Sequence, residues 1–151
     1  MGRFDRAVAE RLLSSVFARW VQDLDLAIED LGGQEAVLRM RFSDKLCREG
    51  GVVCGQALMS LADTAMVFAV SASAGDYVPM TTVDQTIHFL KPVSNADVLA
   101  RARVLRLGRT MAFGQVVLTA EGDDHPVATA QTAYAILGGP PSADRAQRPA
   151  Q

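Results

Sequence analysis

Apolar residues recur every four positions at the start of the chain: Phe4, Val8, Leu12, Val16 and Trp20, with Leu13 and Phe17 beside them. Arg3, Arg6, Glu10 and Arg19 fall outside that stripe. The spacing predicts an amphipathic helix over residues 1–22 that lays one face on a larger body. The period then changes. Leu24, Leu26 and Ile28 alternate with polar or small residues, Gly32-Gly33 interrupts, and Ala36, Leu38, Met40 and Phe42 resume the alternation against Glu35, Arg39 and Arg41. Two such runs joined by Gly-Gly read as a β-hairpin with one wet face.

Residues 43–54, with Gly50-Gly51, read as a loop. From Gly55 to about Ser73 the chain turns helical and apolar almost all round, through Ala57, Leu58, Met59, Leu61, Ala62, Ala65, Met66, Val67, Phe68, Ala69 and Val70. A helix without a polar face has to be enclosed by the rest of the protein. Beyond Gly75-Asp76, strand-like runs cover Met80–Leu90, Asp97–Leu107, Met111–Ala120 and Pro126–Leu137. The order predicts an α+β domain over residues 23–138, an antiparallel sheet wrapped around one central helix, with the N-terminal helix added. The tail, 139–151, is rich in Pro, Ala, Gln and Gly and is expected to lack fixed structure.

At 151 residues the chain fits a single domain. Its net charge is −2, and only Arg101–Arg109 is locally basic. That excludes the broad cationic face of a duplex-binding protein, while leaving room to grip one small polyanion. Asp63 interrupts the apolar helix, which argues against a membrane span. The first residues lack the apolar core of a secretory signal, and Arg6 stands where a myristoylation signal needs Ser or Thr. Cys47 and Cys54 are seven apart and match no zinc or redox spacing. Two reduced thiols, no metal, no membrane and no nucleic acid describe an expected cytoplasmic protein.

Asp63 stands out, because burying a carboxylate without partners costs several kcal/mol. Two readings stay open: a hydrogen-bonded Asp that pins helix to neighbour, or a carboxylate facing a cleft. Gly55 opens the same helix, so its N–H is unpaired and carries the positive end of the helix dipole, suited to polarising a carbonyl. Eight residues at helical rise put Gly55 and Asp63 about 12 Å apart. Groups acting on one carbonyl must come within roughly 3 to 3.5 Å. If both belong to one site, the helix end of one subunit must meet the helix middle of another, and a two-fold pair of helices forms two such sites.

The segment Cys54-Gly55-Gln56-Ala57-Leu58-Met59-Ser60-Leu61-Ala62-Asp63-Thr64-Ala65 resembles the His-Gly-Gly…Leu-Ala-Asp-Thr-Ala signature of the hotdog-fold thioesterases of the phenylacetate-degradation (PaaI-like) type. Thr82 to Pro92 is similar to that family's strand ending in Phe-Leu-Arg-Pro, and Gly108-Arg109-Thr110 falls at its Gly-Arg or Gly-Lys turn. The resemblance covers roughly residues 24–137. It implies a hotdog fold that hydrolyses acyl-CoA thioesters to free acid and coenzyme A, with coenzyme A entering as part of the substrate and no metal or redox cofactor. It also implies a homodimer or a dimer of dimers with active sites at the dimer interface. Position by position, Asp63 matches the catalytic acid, as nucleophile or general base. Gly55 matches the glycine whose N–H polarises the thioester carbonyl, and Thr82 the Ser or Thr that positions nucleophile or water.

This chain departs from the pattern at three positions. Cys54 replaces His, Gln56 replaces the second Gly, and Arg48 stands where the family often has Asn. Arg48 has donors but no acceptor and suits a phosphate. Cys54 is expected to be a small packing residue, since no His is placed to serve it as a nucleophile. Gln56 either narrows the acyl pocket or offers its amide to the carbonyl. Met59 is expected to line that pocket, with Leu58, Met66 and Phe68 as further contributors or plain core. Arg106 and Arg109 are candidates for the coenzyme A phosphates. His88 and His125 are expected outside the chemistry. The departures keep a second reading open, a protein that binds acyl-CoA without hydrolysing it.

Overall fold

In the computed structural model, which describes residues 4–138, the N-terminal stripe ends sooner than its spacing predicts. Helix α1 (Arg6–Leu13) opens at Asp5, whose carboxylate accepts the Val8 N–H at 2.9 Å. It stops at Ser14, because the Ser14 and Ser15 hydroxyls donate to the Glu10 and Arg11 carbonyls and compete with further helix. Only the four-residue α2 (Arg19–Gln22) follows. Trp20, expected on the buried stripe, is 62% exposed. Phe4 and Phe17 instead pack on Phe68, with ring centroids 6.5 and 5.7 Å away. The predicted tail lies outside the described residues.

Strands β1 (Leu26–Gly32) and β2 (Glu35–Met40) form the expected hairpin. The loop that follows holds a 3-10 turn, Asp44–Leu46, and a miniature hairpin of β3 (Cys47–Arg48) and β4 (Val52–Val53). Helix α3 (Gly55–Ala74) ends at Gly75, whose φ of +79° makes the left-handed cap that glycine favours. Strands β5 (Met80–Phe89), β6 (Val98–Leu107), β7 (Met111–Ala120) and β8 (Pro126–Ile136) complete a six-stranded antiparallel sheet in the order β1-β2-β6-β7-β8-β5. Wrapped on α3, it is the hotdog fold.

The helix lies close because the sheet's inner face is floored with small side chains: Ala100, Ala102, Ala112, Ala128 and Ala130 are all buried. The closest approach is at Gly114. A Cβ there would come within 2.4 Å of the Met66 sulfur and 2.9 Å of the Arg103 carbonyl oxygen. Enclosure is nevertheless incomplete. Gln56 and Met59 are exposed and Ser60, Asp63 and Val67 only half-buried, because among the described residues β5 is the edge of the sheet and no further strand lies beyond it on that side of the helix. By length and composition α3 could cross a membrane (mean hydropathy 1.5), but 61% of that window is buried within its own fold.

This packing leads to two testable expectations. Gly114→Ala is expected to lower stability by about 1–3 kcal/mol, seen as a drop in the urea midpoint, because neither the Arg103 backbone nor the enclosed Met66 can withdraw freely. The second concerns Asp97, which accepts the Phe42 N–H at 2.7 Å and pairs with Arg39 at 2.9 Å. Those contacts, the Phe42 bond foremost, hold its carboxyl below the ordinary carboxylate value. A depressed folded pKa stabilises fully above the unfolded value, about 4, and the gain is lost as pH falls through the folded one. Asp97→Asn should therefore lower stability at pH 7 and flatten its decline in acid.

Candidate active site

Asp63 lies in the middle of α3 on its half-covered side. Thr82 and Tyr134 are directly opposed residues on β5 and β8. Opposed residues share one face of a sheet, and both hydroxyls reach the same carboxylate oxygen. Thr82 Oγ1 donates to Asp63 Oδ1 at 2.9 Å and the Tyr134 hydroxyl at 2.7 Å. A bulge at Val83 resets the alternation of β5, so that Thr82 and then Gln85 both face the helix. Tyr134 is buried, and burial together with the adjacent carboxylate pushes its hydroxyl well above the usual phenol range. It therefore stays protonated and remains a donor. Asp63 Oδ2 accepts no hydrogen bond among the described residues. Asp63 is thus pinned through one oxygen, as the first of the two sequence readings has it, while the other oxygen is without a partner among the described residues.

The other end of α3 has a different character. Cys54, half-buried, precedes the helix in extended conformation (φ −69°, ψ 151°) and offers no side-chain cap, so the first N–H groups stay open. Gly55 faces Phe89, whose ring would stand 3.1 Å from an added Cβ. An open cleft of about 470 Å³ runs past Gly55, lined by Arg48, Leu58, Phe89 and Lys91 among others. Arg48 is exposed, and Lys91 pairs with Asp123. Asp63 does not line this cleft. One protomer thus keeps Gly55 at the Phe89 end of β5 and Asp63 at the Thr82 end.

The remaining expected residues divide between these two ends. Gln56 and Met59 lie on the exposed stripe of α3 between them, and the Met59 carbonyl accepts the Gln85 amide at 3.1 Å. Arg106 and Arg109 are exposed at the β6–β7 turn. That turn is tied to β8 by the bond from Ile136 N–H to the Thr110 carbonyl, and Ile136 pairs with Met80. The two arginines therefore share the sheet end of Thr82 and Asp63, away from Arg48. Met66 and Phe68 are fully buried core. His88 lies on the far face of the sheet in a concavity with Asp84, Thr86 and Gln131, and exposed His125 leans on Asp123 at 3.0 Å. Among the described residues no group of three or more His, Cys, Asp or Glu is placed to hold a metal.

Sequence reasoning missed Tyr134, Gln85 and Lys91. A faint signal for Tyr134 existed, because it and Thr132 are the polar members of the inward row Ala128, Ala130, Thr132, Tyr134. Which helix residue that row meets depends on strand register, which spacing along one chain does not reveal.

This architecture has known counterparts. The thioesterase superfamily pattern matches residues 50–127. A candidate thioesterase of Silicibacter sp. TM1040 superposes with a TM-score of 0.79 at 31% identity, over 90% of this chain and 94% of its own. A variant of the phenylacetic acid degradation protein PaaI from Thermus thermophilus gives 0.68 at 25% identity, over 78% and 98%. A candidate esterase of Pseudomonas aeruginosa, PA0474, is 33% identical over 86 residues, which span 56% of this chain and 64% of that relative's length. Signature, fold and relatives agree: the chain belongs to the hotdog-fold thioesterase superfamily and is related to its PaaI-type members.

Proposed function

We propose that this protein hydrolyses acyl-CoA thioesters to free acid and coenzyme A, with Asp63 as the catalytic carboxylate. The observation that carries this reading is the state of Asp63 itself. Its Oδ1 is held by two hydroxyls while Oδ2 is unpaired and the side chain half-exposed. A carboxylate with only a structural task has no need to keep one oxygen free. Oδ2 is the atom that attacks the thioester carbonyl or takes the proton of an attacking water. Thr82 and Tyr134 set its direction.

The carbonyl needs a donor that Asp63's own subunit does not supply, because Gly55 is about 12 Å away along the helix. The free edge of β5 offers a solution. A ten-residue edge strand with Val83 59% and Phe89 49% exposed favours pairing with another chain. A two-fold axis through the middle of β5, with the copies antiparallel, sets the Phe89 end of one beside the Thr82 end of the other. Gly55 rides with Phe89 and Asp63 with Thr82, so each Gly55 then faces the partner's carboxylate. Two complete sites form per dimer, and stacking two such dimers leaves them unaltered. Arg48 from one subunit and Arg106 and Arg109 from the other then flank the site as phosphate ligands. Gln56 and Met59 contact the acyl group, and Cys54 packs at the helix start. Two free thiols suit a reducing cytoplasm.

Asp63→Asn is expected to cut thiol release from acyl-CoAs by about 10²- to 10⁴-fold while the protein stays folded. Tight acyl-CoA binding by the wild type with no thiol released would instead favour the binding-protein reading raised by Arg48, Cys54 and Gln56. Tyr134→Phe should cost about 1–3 kcal/mol of stability and lower kcat more than it raises KM.

The shared site has a sharper test in Gly55→Pro. Proline at the first helical position removes an N–H that no helical bond uses. Its ring displaces the Phe89 side chain, 3.1 Å from an added Cβ, by a few tenths of an ångström, and Cys54 already has the extended conformation that a following proline requires. Each variant alone should be nearly inactive. Randomly mixed subunits of Asp63→Asn and Gly55→Pro should recover about a quarter of wild-type activity, because half the dimers then carry one intact site. No recovery, with subunit exchange demonstrated, would rule out a site built from two subunits.

A further inference from the structure

Gln85 stands on the helix-facing row of β5, between Thr82 and Ile87, opposite Thr132 of β8. Its Nε2 donates to the Met59 carbonyl at 3.1 Å. Met59 lies one turn before Asp63 on α3. A carbonyl only accepts, so the amide has a single sensible orientation, with nitrogen on Met59 and Oε1 turned elsewhere. That Oε1 is buried and accepts nothing, the one side-chain nitrogen or oxygen in that state among the described residues.

Folding stability does not account for this choice of residue. A buried amide carbonyl left without a donor costs more than one neutral hydrogen bond returns, and an apolar side chain would fill the place without penalty. An orphaned acceptor beside the proposed catalytic turn fits a site in which the ligand brings the missing donor. Met59 and Asp63 are four positions apart on the helix, about 6 Å. A thioester carbonyl held within roughly 3.5 Å of Asp63 therefore comes within a few bond lengths of Gln85, in reach of a hydroxyl on an acyl chain that runs that way. Met59, which holds Gln85, is itself exposed, and its unbranched side chain adapts to an occupant.

Resting on the acyl-thioesterase reading above, we propose that Gln85 selects the acyl group. Its Oε1 accepts a hydrogen bond from a hydroxyl carried a few bonds from the thioester carbonyl, so the preferred substrates are short-range hydroxyacyl thioesters.

The test compares kcat/KM for hexanoyl-CoA and its 2-, 3- and 4-hydroxy counterparts, in the wild type and in Gln85→Met, a near-isosteric apolar replacement. The wild type should favour at least one hydroxylated substrate by about tenfold or more, and the ratio should fall towards one in the variant. No preference in the wild type, or a preference that survives in Gln85→Met, overturns the assignment. Circular dichroism and the denaturant midpoint verify that the variant folds, and Gln85→Leu serves if it does not. If the wild type releases no thiol from any of these substrates, the hydrolytic reading fails on its own. Dissociation constants for the same compounds then decide the role of Gln85, because recognition needs no hydrolysis.

Discussion

A carboxylate on the one helix that a sheet wraps must find hydrogen-bond donors or reach water, since leaving it unpaired would consume much of a small domain's stability. Asp63 does both. Thr82 and Tyr134 come from two adjacent strands and meet on a single oxygen. That convergence requires the register between β5 and β8, the bulge at Val83 and the close seating of α3 all at once. The alanine-lined floor and the contact between Gly114 and Met66 bring the helix near enough for a tyrosine hydroxyl to reach across. Packing and chemistry are coupled here: a looser helix would lose the bond that orients the carboxylate.

The same arrangement leaves a gap on one side. β5 ends the sheet, and among the described residues the stripe Gln56, Met59, Asp63 and Val67 is left exposed or only half-covered. Open backbone groups and apolar side chains along one edge are an unstable surface for an isolated protomer, and self-association is the common remedy. Gly55 and Asp63 face the same conclusion from the side of chemistry. They sit at opposite ends of the uncovered region and too far apart to share a carbonyl within one subunit. Under the proposed mechanism, closing the edge and completing the site are one event, and assembly is a condition of activity.

Much of the fold was legible because its elements have clean periods. Alternation in 98–107 and 111–120 and the turn signals between them place β6 and β7 within a residue of where they lie. The uniform apolarity of 55–73 marks the central helix for the same reason. The N-terminal stripe misleads, because its four-residue spacing continues through Ser14 and Ser15, whose hydroxyls bond back to the chain and end the helix. Enclosure of α3 was overestimated too, since hydropathy reports how apolar a helix is and not which of its sides the sheet reaches.

The sequence by itself determined where the central helix and the six long strands lie, that a carboxylate interrupts that helix, and that Gly55 and Asp63 of one helix cannot reach one carbonyl together. These follow from local periodicity and helical rise, which do not depend on distant parts of the chain. Only the tertiary structure decided what Asp63 touches. Tyr134 is 71 residues away in sequence, and its approach depends on which strand lies beside which and in what register. The orphaned oxygen of Gln85 is of the same kind, because whether a polar atom has a partner is a property of the packed neighbourhood and of nothing smaller.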